Sequence, residues 1–436
     1  MRFPEKRDSH KHTMSMHSVM FGWEYPPLHT GGLGVACQGL VRGLSKNNVK
    51  VTLVLPMDLR DHPEGHMLRG PADAAGTVVT DEADIRFVPS ALQPYDGFAE
   101  YAERINMLNV ATTAAGASIK DLYGPDLGEA VWRFAEQSVA VTKDLDPDVI
   151  HCHDWMTYEA GIRASKFHRV PLVAHIHATE FDRTHSQPNS WIAAQERNGF
   201  LMADQIIAVS NYTKNVLVQE YGINPHKISV VYNGHDAPHQ NLHLEHKNAV
   251  MDAKSKKRAP LVLFLGRMTT QKNPVSFLEV ARKVVDAQPN VRFVMAGDGG
   301  MLTELIDRTC QMDLGENVIF TGKVGKREAE QLYRQADCFV MPSVSEPFGL
   351  VALEAIAHGT PVILSKQSGA AEVCDHAFKV DYWDTAKMAD CILTVIREEP
   401  LARQLRSEAP SILKRLSWKN QAGEVASLYK HILSSF

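Results

Sequence analysis

The chain has 436 residues, 44% hydrophobic and 22% charged, with a formal net charge of −5. That length suits two domains of a globular protein, and the near-balanced charge excludes nucleic acid or an anionic membrane as the main partner. No apolar run reaches membrane-spanning length, and the six cysteines form no CxxC pair, so they read as reduced thiols of a cytoplasmic protein.

Residues 1–16 are polar, hold a charged cluster and lack an apolar signal region, so they read as a disordered tail. A short apolar run at 18–21 predicts the first strand. A Gly/Pro loop follows, then a helix over 35–44 and a β-branched strand over 49–55 closed by Pro56. Further strands are predicted at 148–153, 173–177 and 205–210, with helices at 131–145 and 190–202 among the segments between them. From 236 to 260 the pattern stops in a polar stretch that reads as a linker. Alternation then resumes, with strands at 261–265, 291–296, 318–321, 338–341 and 362–364. Helices fit at 274–287, 302–311, 326–336 and 351–358, and an amphipathic helix closes the chain. Continuous apolar strands alternating with helices predict parallel sheets covered on both faces. The reading is α/β, with two tandem Rossmann-like doubly wound domains, 17–245 and 246–415, and a terminal helical segment, 416–436. Ligands of such sheets bind outside the carboxyl ends of the strands, so the cleft between the domains is the expected site.

The segment 345–355, Ser-Glu-Pro-Phe-Gly-Leu-Val-Ala-Leu-Glu-Ala, carries the most chemistry. Glu346 lies on a Pro/Gly loop and Glu354 one turn into a helix. The loop opens that helix, presenting free N–H groups suited to an anion, while the carboxylates suit sugar hydroxyls. A solvated loop glutamate and a first-turn glutamate answering the helix dipole would look the same. Gly31, Gly32 and Gly34 join the first strand to the first helix and allow close approach of backbone amides. Cys37 stands where a dinucleotide fingerprint needs its third glycine, which argues against a dehydrogenase. Arg267 and Lys272 follow Gly266 at the end of a strand, where two cations suit a diphosphate; two solvated surface cations are the plain alternative.

His175, His177, Glu180 and Asp182 fall where another strand runs into a loop, and His151, His153 and Asp154 repeat that arrangement. Histidines on alternate residues are expected on opposite faces, so at most one of each pair should line the cleft. No matched metal-ligand set is present, and no metal is expected. Asp144, Asp146 and Asp148 have DxD spacing but precede a strand, which places them at the amino end of the sheet. The glycine turns at 296–300 and 368–372 fit either ligand approach or tight turning.

These pieces in this order resemble GT-B fold, retaining nucleotide-sugar glycosyltransferases, in particular glycosyltransferase family 4 and the glycogen and starch synthases. The resemblance runs from Ser18 to about Tyr429. It rests on Gly31-Gly-Leu-Gly34, on Gly266-Arg267 with Lys272, and on the Glu346/Glu354 pair, supported by Ile207-Ala-Val-Ser210, Val231-Tyr-Asn-Gly234 and His358-Gly-Thr-Pro-Val362. It implies that 17–245 is the acceptor-side domain, that 246–415 holds the donor and that 416–436 crosses back. Arg267 and Lys272 would bind the donor diphosphate, and Glu354 the ribose. Glu346, with the backbone of Phe348, Gly349 and Leu350, would hold the transferred sugar, beside an active-site histidine matched by His177. The implied reaction moves a hexosyl group, expected to be glucosyl, from a UDP-, ADP- or GDP-hexose to a saccharide acceptor such as an α-glucan, without metal or cofactor. A nucleotide-sugar epimerase or a non-catalytic binding protein on the same fold is the alternative. Glycogen synthases proper carry lysine where this chain has His29, and many bacterial ones lack the second glutamate, here Glu354. Both points favour a broader family 4 enzyme. Pro94, Tyr95 and residues 121–124 lie where acceptors of the family dock.

Overall fold

The structure is a computed structural model and describes residues 16–26, 31–56, 78–79, 82–87, 125–184, 187–236 and 258–436. Most of the expected tail and linker, His29, Pro94, Tyr95 and residues 121–124 lie outside the described residues.

The first sheet contains β1 (Met16–Phe21), β2 (Val49–Leu55), β3 (Val78–Val79), β4 (Asp84–Phe87), β5 (Val149–His153), β6 (Leu172–Ile176), β7 (Gln205–Ala208) and β8 (Ile228–Val230). Its order is β3-β4-β2-β1-β5-β6-β7-β8, parallel except for the β3–β4 pair. β1 begins at Met16, one residue inside the stretch read as tail. Its helices are α1 (Gly32–Lys46), α2 (Pro125–Thr142), α3 (Trp155–His168), α4 (Glu180–Thr184), α5 (Ser190–Met202) and α6 (Asn211–Gln219). Strand residues alternate between two cores: Val19 and Phe21 face one layer, Met20 the other.

The second sheet is built from β9 (Leu261–Leu265), β10 (Arg292–Ala296), β11 (Val318–Gly322), β12 (Cys338–Met341), β13 (Val362–Ser365) and β14 (Phe378–Val380). The order β11-β10-β9-β12-β13-β14 is parallel throughout. Around it lie α7 (Pro274–Ala287), α8 (Leu302–Gln311), α9 (Lys326–Gln335), α10 (Leu350–Ala357), α11 (Gly369–Val373), α12 (Thr385–Arg397), α13 (Glu399–Ser407) and α14 (Ala409–Arg415). Strand direction reverses its progression between β1 and β5 in one sheet and between β9 and β12 in the other. At such switch points the loops diverge and leave a crevice.

The closing helix, α15 (Trp418–Ser435), packs on α1 of the first lobe, not on its own sheet. Trp418, Ala422, Val425 and Tyr429 enter the same core as Leu40 and Leu44. The approach is close enough to require glycine: a Cβ at Gly39 would lie 2.1 Å from the Trp418 ring, and one at Gly43 2.5 Å from the Trp418 carbonyl.

Candidate active site

The loops after β9 and β12 flank the switch point of the second sheet, and they carry the charges. Arg267 is exposed, and its guanidinium makes no hydrogen bond or ion pair among the described residues. Lys272 closes a 3-10 turn, Thr270–Lys272, and pairs through Nζ with the Glu346 carboxylate. That carboxylate also accepts from Ser343 Oγ at 3.2 Å. Gly266 lies beside the lysine stem, a Cβ there falling 3.8 Å from Lys272 Cγ. One cation is thus held against a carboxylate while the other is exposed and unpaired among the described residues.

Glu346 is buried, and its carbonyl accepts from Gly369 N at 3.0 Å. Phe348 is buried in the core, so its ring is structural; its carbonyl accepts from Ala370 N at 2.7 Å. Gly349 caps α10 with a left-handed φ of 102°, which a side chain would strain. Leu350 opens α10 and packs into the cores of both lobes. A Cβ at Gly32 would lie 3.5 Å from Leu350 Cδ1, so the two glycine loops meet across the cleft. Gly31 is the N-cap of α1 and contributes no side-chain cap, and Gly34 is buried in the first turn. The first amides of α1 are therefore available to an anion. Glu354 accepts from Tyr333 Oη at 2.9 Å; burial raises its pKa, against the lowering effect of the tyrosine hydrogen bond.

The histidines correct the facing expected of them. Residues two apart on a strand share a side, and the rings of His151, His153, His175 and His177 form one stack. Centroids are 4.6 Å apart for His151 and His153, 4.4 Å for His175 and His177, and 5.2 Å for His153 and His177. His177 follows β6, and its Nε2 meets His153 Nδ1 at 2.9 Å. His151 joins Tyr429 Oη at 2.5 Å through Nδ1 and His175 Nδ1 at 3.2 Å through Nε2. The Asp154 carboxylate accepts from His177 N at 2.7 Å and fixes the loop. Burial keeps the stack neutral. His151 is pushed down to about 3 by desolvation and then by His177, and desolvation also lowers His153, His175 and His177. His177 Nδ1 is left without a partner, as are Nε2 of His153 and of His175.

His151, His153 and His175 can bring ring nitrogens within 4.8 Å of one another and are the one histidine group of metal-binding type among the described residues. Both His151 nitrogens are already engaged by Tyr429 and His175, so the group reads as a hydrogen-bonded stack.

Other expected features settle into structural roles. Asp144 pairs with Arg86 at 2.6 Å, and Asp148 accepts from His17 N at 2.8 Å, both at the amino end of the sheet. A Cβ at Gly297 would lie 2.0 Å from the Gly266 carbonyl, so the close approach this glycine permits is to the neighbouring loop. Glu372 caps α6 of the other lobe, accepting from Asn211 N at 2.9 Å and Tyr212 N at 2.6 Å. Asp182 accepts from Ser345 Oγ at 2.5 Å across the cleft. No local sequence signal points to that contact, which joins residues 163 positions apart.

Two doubly wound lobes, with glycine loops and cations converging at their switch points, define a GT-B glycosyltransferase. Comparison with known proteins agrees. Residues 247–411 match the family model for glycosyl transferases group 1, and residues 117–238 match that for Glycosyltransferase Family 4. An uncharacterized glycosyltransferase of Methanocaldococcus jannaschii is 29% identical over 429 residues, 95% of this chain and 98% of the relative. Glycogen synthase of Mycobacterium tuberculosis is 27% identical over 427 residues, 95% of this chain and 94% of the relative. Sucrose-phosphate synthase of Thermosynechococcus elongatus superposes with a TM-score of 0.72 at 18% identity, covering 97% of this chain and all of that one. HepE of Anabaena, solved with UDP and glucose, gives 0.64 at 18% identity, covering 97% of this chain and all of that one. The chain belongs to the GT-B glycosyltransferases of the family 4 and glycogen synthase-like group. No helix among the described residues is long and apolar enough to cross a membrane.

Proposed function

We propose that this glycosyltransferase moves a hexosyl group, glucosyl in the first instance, from a nucleoside diphosphate sugar to a saccharide hydroxyl, with retention and without metal. The observation that carries the reading is the pair of cations at the second switch point, Arg267 exposed and without a partner among the described residues and Lys272 held by Glu346. The diphosphate gains charge as it leaves. Arg267, Lys272 and nearby helix N-termini are placed to answer that charge, the task a metal performs elsewhere. An oriented cation of this kind contributes about 3–4 kcal/mol, or about 10² to 10³ in rate. Glu346 would hold the sugar and Glu354 the ribose. They face different neighbours, Lys272 and Tyr333, which disfavours the two-carboxylate flank of a retaining hydrolase. Retention then follows from front-face attack assisted by the departing phosphate. His177, half-buried just past β6, would lie beside the reacting sugar. The glycogen synthase relative and the HepE complex with UDP and glucose support a glucosyl donor and a glucan-type acceptor.

The test is a panel of UDP-, ADP- and GDP-glucose, scored by thermal shift and then by product mass and anomeric NMR with maltooligosaccharides as acceptors. An α-linked product from one donor is expected. Turnover of donor without acceptor to an isomeric nucleotide sugar would make the protein an epimerase. Binding without turnover would make it a sensor.

A further inference from the structure

The segment that precedes and includes Glu346 is held by the opposite lobe as much as by its own. Ser345 Oγ donates to Asp182 Oδ1 at 2.5 Å and accepts from Tyr212 Oη at 3.0 Å. The Pro347 carbonyl accepts from Ser210 Oγ at 2.6 Å, on the residue that caps α6. Within its own lobe, the Ser345 carbonyl accepts from Gln271 Nε2 at 3.1 Å, and Val344 N donates to Gln271 O at 2.9 Å. Gln271 precedes Lys272. On the other side, Asp182 Oδ2 accepts from Thr179 N and Thr179 Oγ1, each at 2.8 Å, and Thr179 lies two residues past His177. Hydrogen bonds therefore run from Thr179 in the His177 loop through Asp182 and Ser345 to Gln271, with Lys272 and Glu346 the next residues along the chain from Gln271 and Ser345.

Asp182 is 1% exposed and has no surface with which to touch substrate. A buried carboxylate is costly unless fully hydrogen-bonded, and here the donor that completes Oδ1 comes from the other lobe. Its satisfaction thus depends on the lobes being together.

We propose that Asp182 is a positioning residue which, through Ser345, locks the His177 loop to the Glu346 loop and so fixes the distance between the sugar end and the diphosphate end of the site. The inference rests on the glycosyl-transfer reading given above. Both variants that test it are conservative in volume. In Asp182→Asn the amide keeps the Thr179 donors only by turning its NH2 to Ser345, whose hydroxyl must then accept rather than donate, so the charge-assisted bond between the lobes is lost and a weaker, reversed one takes its place. Ser345→Ala removes the donor and leaves Glu346 and Lys272 unaltered, and it carries the test alone if the first variant does not fold.

The experiment measures transfer with UDP-, ADP- and GDP-glucose, the Kd of UDP and ADP, and amide hydrogen exchange of residues 343–349 in the full chain. Each variant is expected to lose about 10- to 100-fold in kcat, with nucleotide Kd within about twofold of the parent. Exchange at 343–349 should quicken. The double variant should be no worse than Ser345→Ala alone, which breaks the Asp182 bond that the other variant weakens and also releases Tyr212 Oη. Unchanged kcat and unchanged exchange would overturn the proposal. So would losses that multiply in the double variant, or a kcat loss matched by lost nucleotide affinity. If the parent transfers sugar from neither of these donors nor from GDP-glucose while exchange at 343–349 still responds to both variants, the coupling stands and the glucosyl-transfer reading falls.

Discussion

The two faces of the cleft use opposite chemistry. The carboxyl end of the first sheet carries four stacked, neutral imidazoles, three buried and His177 half-buried, with an aspartate and a tyrosine behind them. The matching end of the second sheet presents charge: an exposed arginine, a lysine paired with a glutamate, and the N-terminus of α10. A neutral stack whose free nitrogens are buried serves its own lobe, whereas a cationic surface suits a phosphate that gains charge as it leaves. The difference teaches that two lobes of the same kind of fold can carry opposite electrostatics at matching ends of their sheets.

Four measurements can break or sharpen this contrast. Arg267→Ala should have the largest effect, lowering kcat about 10² to 10³-fold, while chemical denaturation shifts by less than about 0.5 kcal/mol, since the side chain is exposed and has no partner among the described residues. Full transferase rate in that variant would end the charged-face assignment. Lys272→Ala should differ by harming stability as well, by about 2 kcal/mol in urea, because it strands the buried Glu346 carboxylate with Ser343.

The neutral face makes a pH prediction. His151, His153, His175 and His177 all have pKa values held below the ordinary 6.5 by burial. Below pH 6.5 the unfolded chain takes up protons that the folded chain refuses. The stability they contribute is present above 6.5 and is lost as pH falls, by about 1.4 kcal/mol per pH unit for each histidine. Glu196, raised to about 7 chiefly by burial, works the other way: its contribution is present at acid pH and lost as pH rises towards 7. Burial raises Glu180, Asp182 and Glu354 in the same sense as Glu196, and lowers His17, His168 and His235 in the same sense as the stack. Denaturation at pH 5.5 and 7.5 should show the loss on the acid side, and His153→Asn should flatten it. The smallest effect is expected for Glu354→Ala, a roughly 10-fold weaker Kd for UDP or ADP by calorimetry, with kcat at saturation little changed.

Much of the architecture was legible in the chain. The β-branched run at 49–55 and the paired strand-and-helix pattern after 261 predict parallel sheets, and the cores confirm buried faces on both sides of each. Helix α3 carries little signal because Trp155, Met156, Tyr158, Ala160 and Ile162 are buried on several sides of it, so no polar stripe marks a period. Strands β8 and β14 have only three residues each, too few for any pattern. Within the site, the charged residues announce themselves by position after a strand. The histidine stack was hidden by a wrong facing rule, and a period of two, correctly applied, would have found it. Ser345 with Asp182, and Glu372 with α6, are contacts between distant segments that only the folded chain brings together.

The crossing of α15 onto α1 has a practical corollary for anyone dividing the protein. A cut in the linker separates the chain into halves that do not correspond to the lobes, because the first half then lacks the apolar cover that Trp418, Ala422 and Tyr429 supply to α1 and β1. Co-expressed fragments should therefore reassociate through that helix. A first-lobe fragment made to stand alone would need residues 416–436 grafted back, as in a circular permutant whose new ends fall ahead of Trp418.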